Sequence, residues 1–313
     1  MKKLRLNATA TVRETFENYI ISRKARGVAD KTLQSYKSQF DAAARHLDVE
    51  TDISKLKKSD LDAMVISMRD AKLSSNSINT YTRMLRSFFF WCKEQEITDV
   101  NVQLYKAEET VKETYTDAEL MVLLKKPDIK HCTFAEYRNW VIINFFMNSG
   151  CRAATVRAIL IDDIDFENNM VHYRHTKNKK AQVIPLCSVM SGILRDYLRY
   201  RGGSGTDYLF CTETGTQLTE YGLRQSITRY NTRRGITKTS LHMFRHTFAR
   251  KYLIDCGGDA FMLQKLLGHS TLAMTKHYCR IFDADLTKNF DNFSPLAQIK
   301  SNSTKIKMKS SRR

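Results

Sequence analysis

The stretch KLLGHSTLAMTKHYCRIF, residues 265 to 282, places His269 nine residues before Tyr278 in a polar and basic setting. The default interpretation of such a tyrosine is burial, with its ring in a core and its hydroxyl hydrogen-bonded. A phenol can also act as a nucleophile when other groups accept its proton and stabilise the charge that its attack creates. The choice therefore depends on whether the rest of the chain supplies those groups.

Length and composition predict a folded protein of two domains. The chain has 313 residues, of which 42% are hydrophobic and 10% aromatic, and this size more often divides into two cores than one. The apolar stretch WVIINFFM, residues 140 to 147, is too short to span a membrane. The beginning, MKKLRLNATATVRETF, lacks the apolar segment of a secretion signal. We therefore expect a cytoplasmic protein with no membrane partner.

The cysteines argue against a disulfide framework and a zinc ribbon. The seven of them lie at positions 92, 132, 151, 187, 211, 256 and 279 and never form a C-x-x-C pair. An odd number of widely spaced cysteines is typical of reduced thiols in a cytoplasm. Cys151 and Cys279 are interpreted as small packing residues.

The charge indicates a polyanionic partner. The net charge is +18, and a basic surface of this size favours nucleic acid. Residues 1 to 110 carry 19 basic and 15 acidic side chains, whereas the remainder carries 32 and 18. The excess is therefore concentrated in the second part of the chain. The alternative is an ordinary basic surface, so charge alone does not decide the function.

The first part of the chain reads as successive helices. In DKTLQSYKSQFDAAARHL, Asp30 is a plausible N-cap and the apolar residues that follow share one face. A broad apolar stripe also runs through SNSINTYTRMLRSFFFWCKEQ, which begins at Ser75. Two further segments, around 11 to 26 and 59 to 71, complete a predicted four-helix unit.

The pattern changes after YKAEETVKET, residues 105 to 114, which has no apolar periodicity and is interpreted as a linker. Thr116 and Glu119 then form the signature of a capping box. The stretch from Asp162 to Leu186 predicts short strands separated by turns. The helices predicted around them span 117 to 126, 134 to 148 (ended by Gly150), 188 to 201, 219 to 234, 241 to 255, 260 to 267 and 271 to 279. The predicted class is mainly α with a small antiparallel β-sheet.

Two stretches of the sequence resemble metal sites, but neither has the full set of ligands. In LHMFRHTFARKYL, His242, Arg245 and His246 lie at i, i+3 and i+4 and can share a helix face. A zinc protease needs a glutamate after the first histidine, where this chain has Met243. The stretch DDIDFEN, residues 162 to 168, lacks the glycine and terminal glutamate of a calcium loop. We expect it to be a solvated turn.

Without a metal, phosphoryl transfer needs positive side chains around the phosphate. Arginine suits this role because its guanidinium is a rigid fork of donors that stays protonated. Arg245 is one candidate. Arg152, at the predicted start of a helix after Gly150, is another. Lys177, in a predicted β-turn, can donate a proton to a leaving oxygen. Any one of these residues alone is more typical of a solvated surface.

The four motifs together carry a family resemblance. SGCR, TKNKKAQVIPL, HMFRH and LLGHSTLAMTKHY occur in this order with spacings that resemble the tyrosine recombinase family of phage-type integrases and Xer-type resolvases. The resemblance spans roughly residues 110 to 295. Residues 11 to 97 resemble the core-binding domain of that family in length and helical pattern.

The resemblance implies a role for each motif residue. Tyr278 would be the nucleophile, Arg152 and Arg245 would bind the scissile phosphate, Lys177 would protonate the leaving 5′ oxygen, His242 would transfer a proton at the tyrosine, and His269 would hydrogen-bond the phosphate. No metal, ATP or other cofactor would be needed. His246 would be a structural partner. One position departs from the family pattern, because Thr155 stands where an acidic residue is usual three residues after the first arginine.

The function implied is that of a site-specific DNA recombinase. It would cleave and rejoin strands through a 3′-phosphotyrosine and serve integration, excision or resolution. Its partners would be double-stranded recombination sites and further copies of itself, as a dimer or tetramer on DNA in a prokaryotic nucleoid. A type IB topoisomerase and a non-catalytic basic DNA-binding regulator are the alternatives.

The resemblance also implies a division of the chain into a two-domain DNA clamp. The expected parts are a core-binding domain at 1–105, a linker at 106–115, a catalytic domain at 116–283, a helix for protomer exchange at 284–299 and a basic tail at 300–313. Phe290 and Phe293 would anchor the exchanged helix on a neighbouring protomer. The few residues before the first helix favour an Xer-like or mobile-element enzyme.

Overall fold

A computed structural model of the chain describes residues 10–105, 113–174, 181–276 and 296. The chain divides into two compact units, residues 1–111 and 112–313, and each has its own hydrophobic core. Tyr278 and Lys177 lie outside the described residues, as do Phe290 and Phe293. In the part of the chain that is described, no helix combines the length and apolar composition that crossing a membrane requires.

The predicted four-helix unit is confirmed within residues 10–105. The helices are α1 (Val12–Ala25), α2 (Asp30–Ala43), α3 (Lys58–Asp70) and α4 (Ser75–Glu94), with a 3₁₀ turn at Ile53–Lys55. Aromatic rings fill the centre of this unit. Phe16 stacks on Phe40 with 3.9 Å between ring centroids, and the edge of Phe88 meets Phe16 at 5.5 Å.

The helix starts show where local sequence signals hold and where they fail. Thr11 and Glu14 form a capping box at the start of α1. At α2 the predicted cap is wrong, because Ala29 occupies the N-cap position without a side-chain hydrogen bond and Asp30 is the first helical residue. A carboxylate in the first turn still stabilises a helix through the helix dipole. Asp30 therefore marks the first residue of α2 and not the N-cap before it.

The second unit has the predicted class, mainly α with a small antiparallel sheet. Within residues 113–174 and 181–276, a three-stranded sheet has the order β1 (Ile164–Asp165), β2 (Met170–Tyr173), β3 (Gln182–Pro185). The α-helices are α5 (Asp117–Leu124), α6 (Phe134–Ser149), α7 (Ala153–Ala158), α8 (Ser188–Arg201), α9 (Glu220–Arg233), α10 (Leu241–Arg250), α11 (Ala260–Leu267) and α12 (Leu272–Lys276). The helix predicted over 241 to 255 ends early, since Lys251–Asp255 is a π-helical turn.

Helix α6 lies at the centre of the second unit. Its side chains from Tyr137 to Ile143 cover about two turns and are all buried, so protein surrounds this part of the helix on every side. It packs against α5, α8, α9 and α10. The predicted stop at Gly150 is confirmed, with φ of 58° in the left-handed region.

The segment before the sheet differs from expectation at Asp163. This carboxylate is buried, with 2% of its surface exposed, where a solvated turn was predicted. It accepts a hydrogen bond from the backbone N–H of Leu160 at 2.9 Å and pairs with the guanidinium of Arg174. A buried carboxylate is tolerated because both contacts satisfy its charge.

The start of the second unit is anchored by polar contacts. Thr116 and Glu119 form the predicted capping box. Tyr115, which precedes it, is buried, and its backbone N–H donates to the hydroxyl of Thr247 at 2.9 Å. Lys238 donates to the carboxylate of Glu119 at 3.1 Å. The chain is therefore tied to α10 and to the segment after α9 from Tyr115 onward.

The core of the first unit makes a direct prediction about stability. Phe88→Ala should lower its free energy of unfolding by about 3–5 kcal/mol, because Phe88 is completely buried among aromatic rings. Phe90→Ala on the same helix is the matched control, since Phe90 is 61% exposed. Urea denaturation in a Trp140→Phe background leaves Trp91 as the only tryptophan, which reports on this unit. Equal effects of the two substitutions would contradict the described core.

Candidate active site

Arg245 on α10 is the centre of the candidate site. Its side chain is buried, with 4% of the residue exposed. One terminal nitrogen, Nη1, donates to the carbonyl of Gly150 at 2.8 Å, and the other, Nη2, donates to the carbonyl of Leu267 at 2.9 Å. Nη2 also lies 2.7 Å from Nε2 of His269. These contacts hold the planar guanidinium between the ends of α6 and α11.

Both carbonyls come from helix C-termini. The last carbonyls of an α-helix have no partner within the helix and carry the negative end of its dipole. They are therefore good acceptors for a buried cation. Two different helices end at the same guanidinium, so Arg245 fixes the distance between them as well as its own orientation.

Gly150 makes the first of these contacts possible. Its φ of 58° is unfavourable for other residues. A Cβ built at this position would lie 2.3 Å from Cδ1 of Phe248 and 2.8 Å from Cδ2 of Leu267. Only glycine therefore lets the end of α6 approach α10 closely enough for its carbonyl to meet Arg245.

His269 accepts a hydrogen bond from Arg245. A guanidinium has only donors, so Nε2 of the histidine must be the acceptor and the ring proton must lie on Nδ1. Nδ1 is 2.9 Å from the buried hydroxyl of Thr275, to which it donates. The pKa of His269 falls to about 4, first through burial and then through the charges of Arg245 and Arg152. This histidine is therefore neutral at pH 7.

His242 lies one turn before Arg245 on α10 and is exposed to solvent. Its pKa is below the usual 6.5, first because surrounding protein removes part of its hydration and then because Arg245 and Arg152 are positively charged. It is therefore also neutral at pH 7. A neutral imidazole is the form that accepts a proton.

Arg152 lies at the N-cap of α7, two residues after Gly150. Its carbonyl accepts from the backbone N–H of Thr155 at 2.9 Å, while its side chain makes no capping hydrogen bond. Its charge contributes to the lowered pKa of both His242 and His269. The structure therefore brings together four of the six residues named from the sequence: Arg152, His242, Arg245 and His269.

Two of the remaining sequence-based candidates, Lys177 and Tyr278, lie outside the described residues. Their positions relative to this cluster stay predictions. His246 is half-buried on α10. Thr155, which departs from the family pattern, is buried on α7 with 9% of its surface exposed.

A buried layer next to Arg245 was not predicted as part of the site. Ser149, Cys151 and Tyr173 are all buried beside it. Burial raises the pKa of Cys151 to about 11 and that of Tyr173 well above its usual value, so both stay protonated at neutral pH. This is the environment of a packing cysteine, as the sequence suggested.

The contacts around Arg245 that sequence reasoning missed are backbone carbonyls and the hydroxyl of Thr275. Glycines directly after two helices, Gly150 and Gly268, were the available signal, because such residues often end a helix in the left-handed conformation. Nothing in the sequence pointed to Thr275. In the described ranges, no three His, Cys, Asp or Glu side chains group as ligands for a metal ion.

Comparison with known families accounts for both units. Residues 114–285 match the phage integrase family, and residues 14–96 match the SAM-like N-terminal domain of phage integrases. Among characterised relatives, tyrosine recombinase XerD of Oceanobacillus iheyensis is 24% identical over 286 residues, covering 87% of this chain and 95% of the relative. A tyrosine recombinase of Pseudothermotoga lettingae is 26% identical over 296 residues, covering 91% and 98%.

Solved structures share the fold. The Tn1549 transposon integrase in complex with transposon right end DNA aligns with a TM-score of 0.74 at 19% identity, covering 91% of this chain and 99% of that one. A lambda integrase tetramer bound to a Holliday junction aligns with a TM-score of 0.71 at 18% identity, covering 87% and 78%. The resemblance inferred from the sequence motifs is confirmed. Since more than half of the chain lies within the family match, this protein belongs to the phage integrase family and is a tyrosine site-specific recombinase.

Proposed function

We propose that this protein cleaves and rejoins DNA strands at specific sites through a covalent 3′-phosphotyrosine formed by Tyr278. The observation that carries the proposal is the convergence of two arginines and two neutral histidines on one place in the second unit. This set offers fixed positive charge together with a proton acceptor, and both are needed to attack a phosphodiester with a phenol.

The arginines would bind the scissile phosphate. A phosphodiester in the transition state carries negative charge on its non-bridging oxygens, and a guanidinium matches two of them with its fork. Arg245 is held by the carbonyls of Gly150 and Leu267 before any substrate arrives. Its charge is therefore already oriented, so little reorganisation is needed when the reaction occurs.

His242 would accept the proton of the attacking hydroxyl. A phenol has a pKa of about 10 and is almost entirely protonated at neutral pH. His242 can take that proton because its lowered pKa keeps the imidazole neutral, first through loss of hydration and then through the charges of Arg245 and Arg152. Attack by Tyr278 then forms a bond between the phenolic oxygen and phosphorus.

Lys177 would complete the step by protonating the leaving group. The bond between phosphorus and the 5′ oxygen breaks, and the proton from Lys177 converts that oxygen to a 5′ hydroxyl. The phosphodiester energy is kept in the tyrosine ester, so the 5′ hydroxyl of another strand can reverse the step. Every proton and electron pair is supplied by side chains and DNA, so the scheme includes neither ATP nor a metal.

His269 would hydrogen-bond the phosphate after a change in protonation. In the structure its Nε2 accepts from Arg245. An anionic phosphate beside the imidazole raises the pKa of the ring, because negative charge stabilises the protonated form. The protonated ring has a donor at Nε2, so substrate binding would convert His269 from an acceptor to a donor. Its hydrogen bond to the phosphate would then replace the one that it accepts from Arg245.

The DNA partner and the assembly follow the same proposal. The structural relatives include integrases in complex with DNA, a dimer bound to a core site and a tetramer bound to a Holliday junction. The excess of basic residues after residue 110 suits a DNA-binding surface. We infer that this protein acts on double-stranded sites as a dimer or tetramer, in integration, excision or resolution. No feature of the described residues favours a topoisomerase or a non-catalytic regulator.

Tyr278→Phe tests the nucleophile. Wild-type protein incubated in EDTA with a pool of duplexes nicked near candidate cleavage sites should form an adduct that survives denaturing electrophoresis. The nick lets the cleaved fragment diffuse away, so the ester accumulates. The phenylalanine variant should form none, because its ring has no hydroxyl. An adduct with this variant would exclude Tyr278, and plasmid relaxation without recombinant products would favour a topoisomerase.

Arg152→Gln tests the phosphate-binding arginines. Loss of one preoriented charge should slow single-turnover adduct formation about 100- to 1000-fold, or roughly 3 to 4 kcal/mol. Arg152→Lys should lie between wild type and the glutamine variant, because it keeps the charge without the fork. Thermal unfolding should be nearly unchanged, since the Arg152 side chain makes no capping bond. Cleavage at the wild-type rate by the glutamine variant would remove Arg152 from the site.

The pH dependence of adduct formation tests His242. Measured with DNA far below saturation, the rate constant reports the DNA-free protein, in which the pKa of the imidazole lies below 6.5. The base should therefore be mostly neutral and active at pH 6.5, and this rate constant should fall only as the pH drops further and the ring becomes protonated. His242→Gln should be slower and should lack this acidic decline. A midpoint at or above 6.5, or the same decline in the variant, would contradict the assignment.

A further inference from the structure

Thr275 occupies a buried position on α12, where a polar side chain is unexpected. Its exposed fraction is 0%, whereas its apolar neighbours Leu272 and Met274 on the same helix are each 41% exposed. The usual pattern of a surface helix, with apolar residues inside and polar residues outside, is therefore reversed here. A buried hydroxyl needs a hydrogen-bond partner to offset its lost hydration, so the partner of Thr275 indicates what the residue does.

That partner is the ring of His269. The hydroxyl oxygen of Thr275 lies 2.9 Å from Nδ1, and Nη2 of Arg245 lies 2.7 Å from Nε2. Since a guanidinium can only donate, the ring proton lies on Nδ1 and the hydroxyl accepts it. One ring nitrogen is therefore engaged by α10 and the other by α12. A flip of the ring would replace both hydrogen bonds by contacts with C–H groups.

The backbone of His269 is held separately, by α11. Its N–H donates to the carbonyl of Gln264 at 3.0 Å, and its carbonyl accepts from Nε2 of Gln264 at 3.3 Å. Gly268 ends α11 in the left-handed conformation and so places His269 directly after the helix. With the backbone fixed in this way, the freedom left to His269 is rotation of its side chain, which Thr275 and Arg245 restrict.

The hydroxyl suits both protonation states that the proposed reaction requires. In the neutral ring Nδ1 carries the proton and Nε2 accepts from Arg245. When a phosphate binds, the second proton is added at Nε2, while Nδ1 keeps both its proton and its acceptor. His269 can therefore change from an acceptor to a donor at Nε2 without rotating. Removal of the hydroxyl would take away a partner that both states use.

We propose that Thr275 is a positioning residue that holds the imidazole of His269 with Nε2 directed at Arg245 and at the scissile phosphate. This inference rests on the proposed function, and the effect of Thr275 is transmitted by His269. Partners that orient metal-bound histidines through the second ring nitrogen are worth about 10- to 100-fold in activity. The same kind of contact should have an effect of the same order on strand cleavage.

Thr275→Val tests this role, because valine keeps the branching and nearly the volume of threonine but removes the acceptor. In single-turnover reactions with the nicked duplexes in EDTA, this variant should form the covalent adduct about 10- to 100-fold more slowly than wild type. Thr275→Ser keeps the hydroxyl and should recover most of this loss. A wild-type rate for the valine variant would overturn the proposal, as would a serine variant as slow as the valine variant.

A double substitution separates the positioning of His269 from a general loss of packing. His269→Gln should itself slow adduct formation. Adding Thr275→Val to it should cause little further loss, because the imidazole through which the hydroxyl acts is already gone. If the two losses instead multiplied, Thr275 would act on the fold or on another group, and the proposal would be wrong.

The state of the ring can also be measured without DNA, by NMR of protein with isotope-labelled histidines. His269, assigned by the loss of its signals in His269→Gln, should show a protonated Nδ1 and an unprotonated Nε2. Thr275→Val should move both signals towards a mixture of tautomers, and Thr275→Ser should not. An unchanged His269 spectrum in the valine variant would overturn the proposal. Failure of wild-type protein to form an adduct would instead refute the proposed function, while this spectrum would still judge the contact between Thr275 and His269.

Discussion

The site depends on one buried guanidinium between the carbonyl ends of two helices. An arginine without partners in a protein interior loses its hydration at a large free-energy cost. Arg245 is compensated by the carbonyls of Gly150 and Leu267 and by the lone pair of His269. These three partners are all neutral, so none of them cancels the positive charge of the guanidinium. A carboxylate in their place would have neutralised it and left less attraction for a phosphate.

This arrangement also contributes to the protonation state of the surrounding groups. Loss of hydration is the larger cause that disfavours a further proton on either histidine, and the charges of Arg245 and Arg152 act in the same direction. The same two arginines that would attract the phosphate therefore help to keep His242 in the form that accepts a proton. Phosphate binding and proton transfer would thus depend on the same two charges.

Much of the fold could be predicted from the sequence because apolar periodicity is a local property. The long apolar stripe of α4 and the apolar run within α6 predicted their helices correctly, and the capping box at Thr116 was predicted from four residues. The prediction of Asp30 as the N-cap was wrong because a capping carboxylate and a first-turn carboxylate differ by only one position in the sequence. The prediction of a solvated turn was wrong at Asp163 because the burial of this carboxylate depends on Arg174, which approaches it only through the pairing of β1 with β2.

The residues of the site could be predicted only in part. Side chains with distinctive chemistry, such as Arg245 and His269, could be named from motif order. Their hydrogen-bond partners could not be predicted, because every residue has a backbone carbonyl and the sequence does not show which one is free to accept from a side chain. Here the carbonyls become available where helices end. Gly150 and Gly268 were visible as helix stops, yet their importance lies in letting α6 and α11 end close to α10. Where these helices meet is decided by tertiary packing.

The location of Arg245 and His269 at the ends of helices has a mechanical consequence. Helix α11 is short, and its anchoring residues Phe248, Leu263 and Leu267 form a small cluster apart from the main core. A shift of this helix would move the carbonyl of Leu267 and His269 together, because only the C-cap residue Gly268 separates His269 from the helix. Arg245 belongs to α10 and also donates to Gly150, so such a shift would change its contacts with Leu267 and His269. The geometry of the site therefore depends on what holds α11 in place. Apolar packing does so, and the side-chain amide of Gln182 donates to the carbonyl of Leu266 at 2.9 Å.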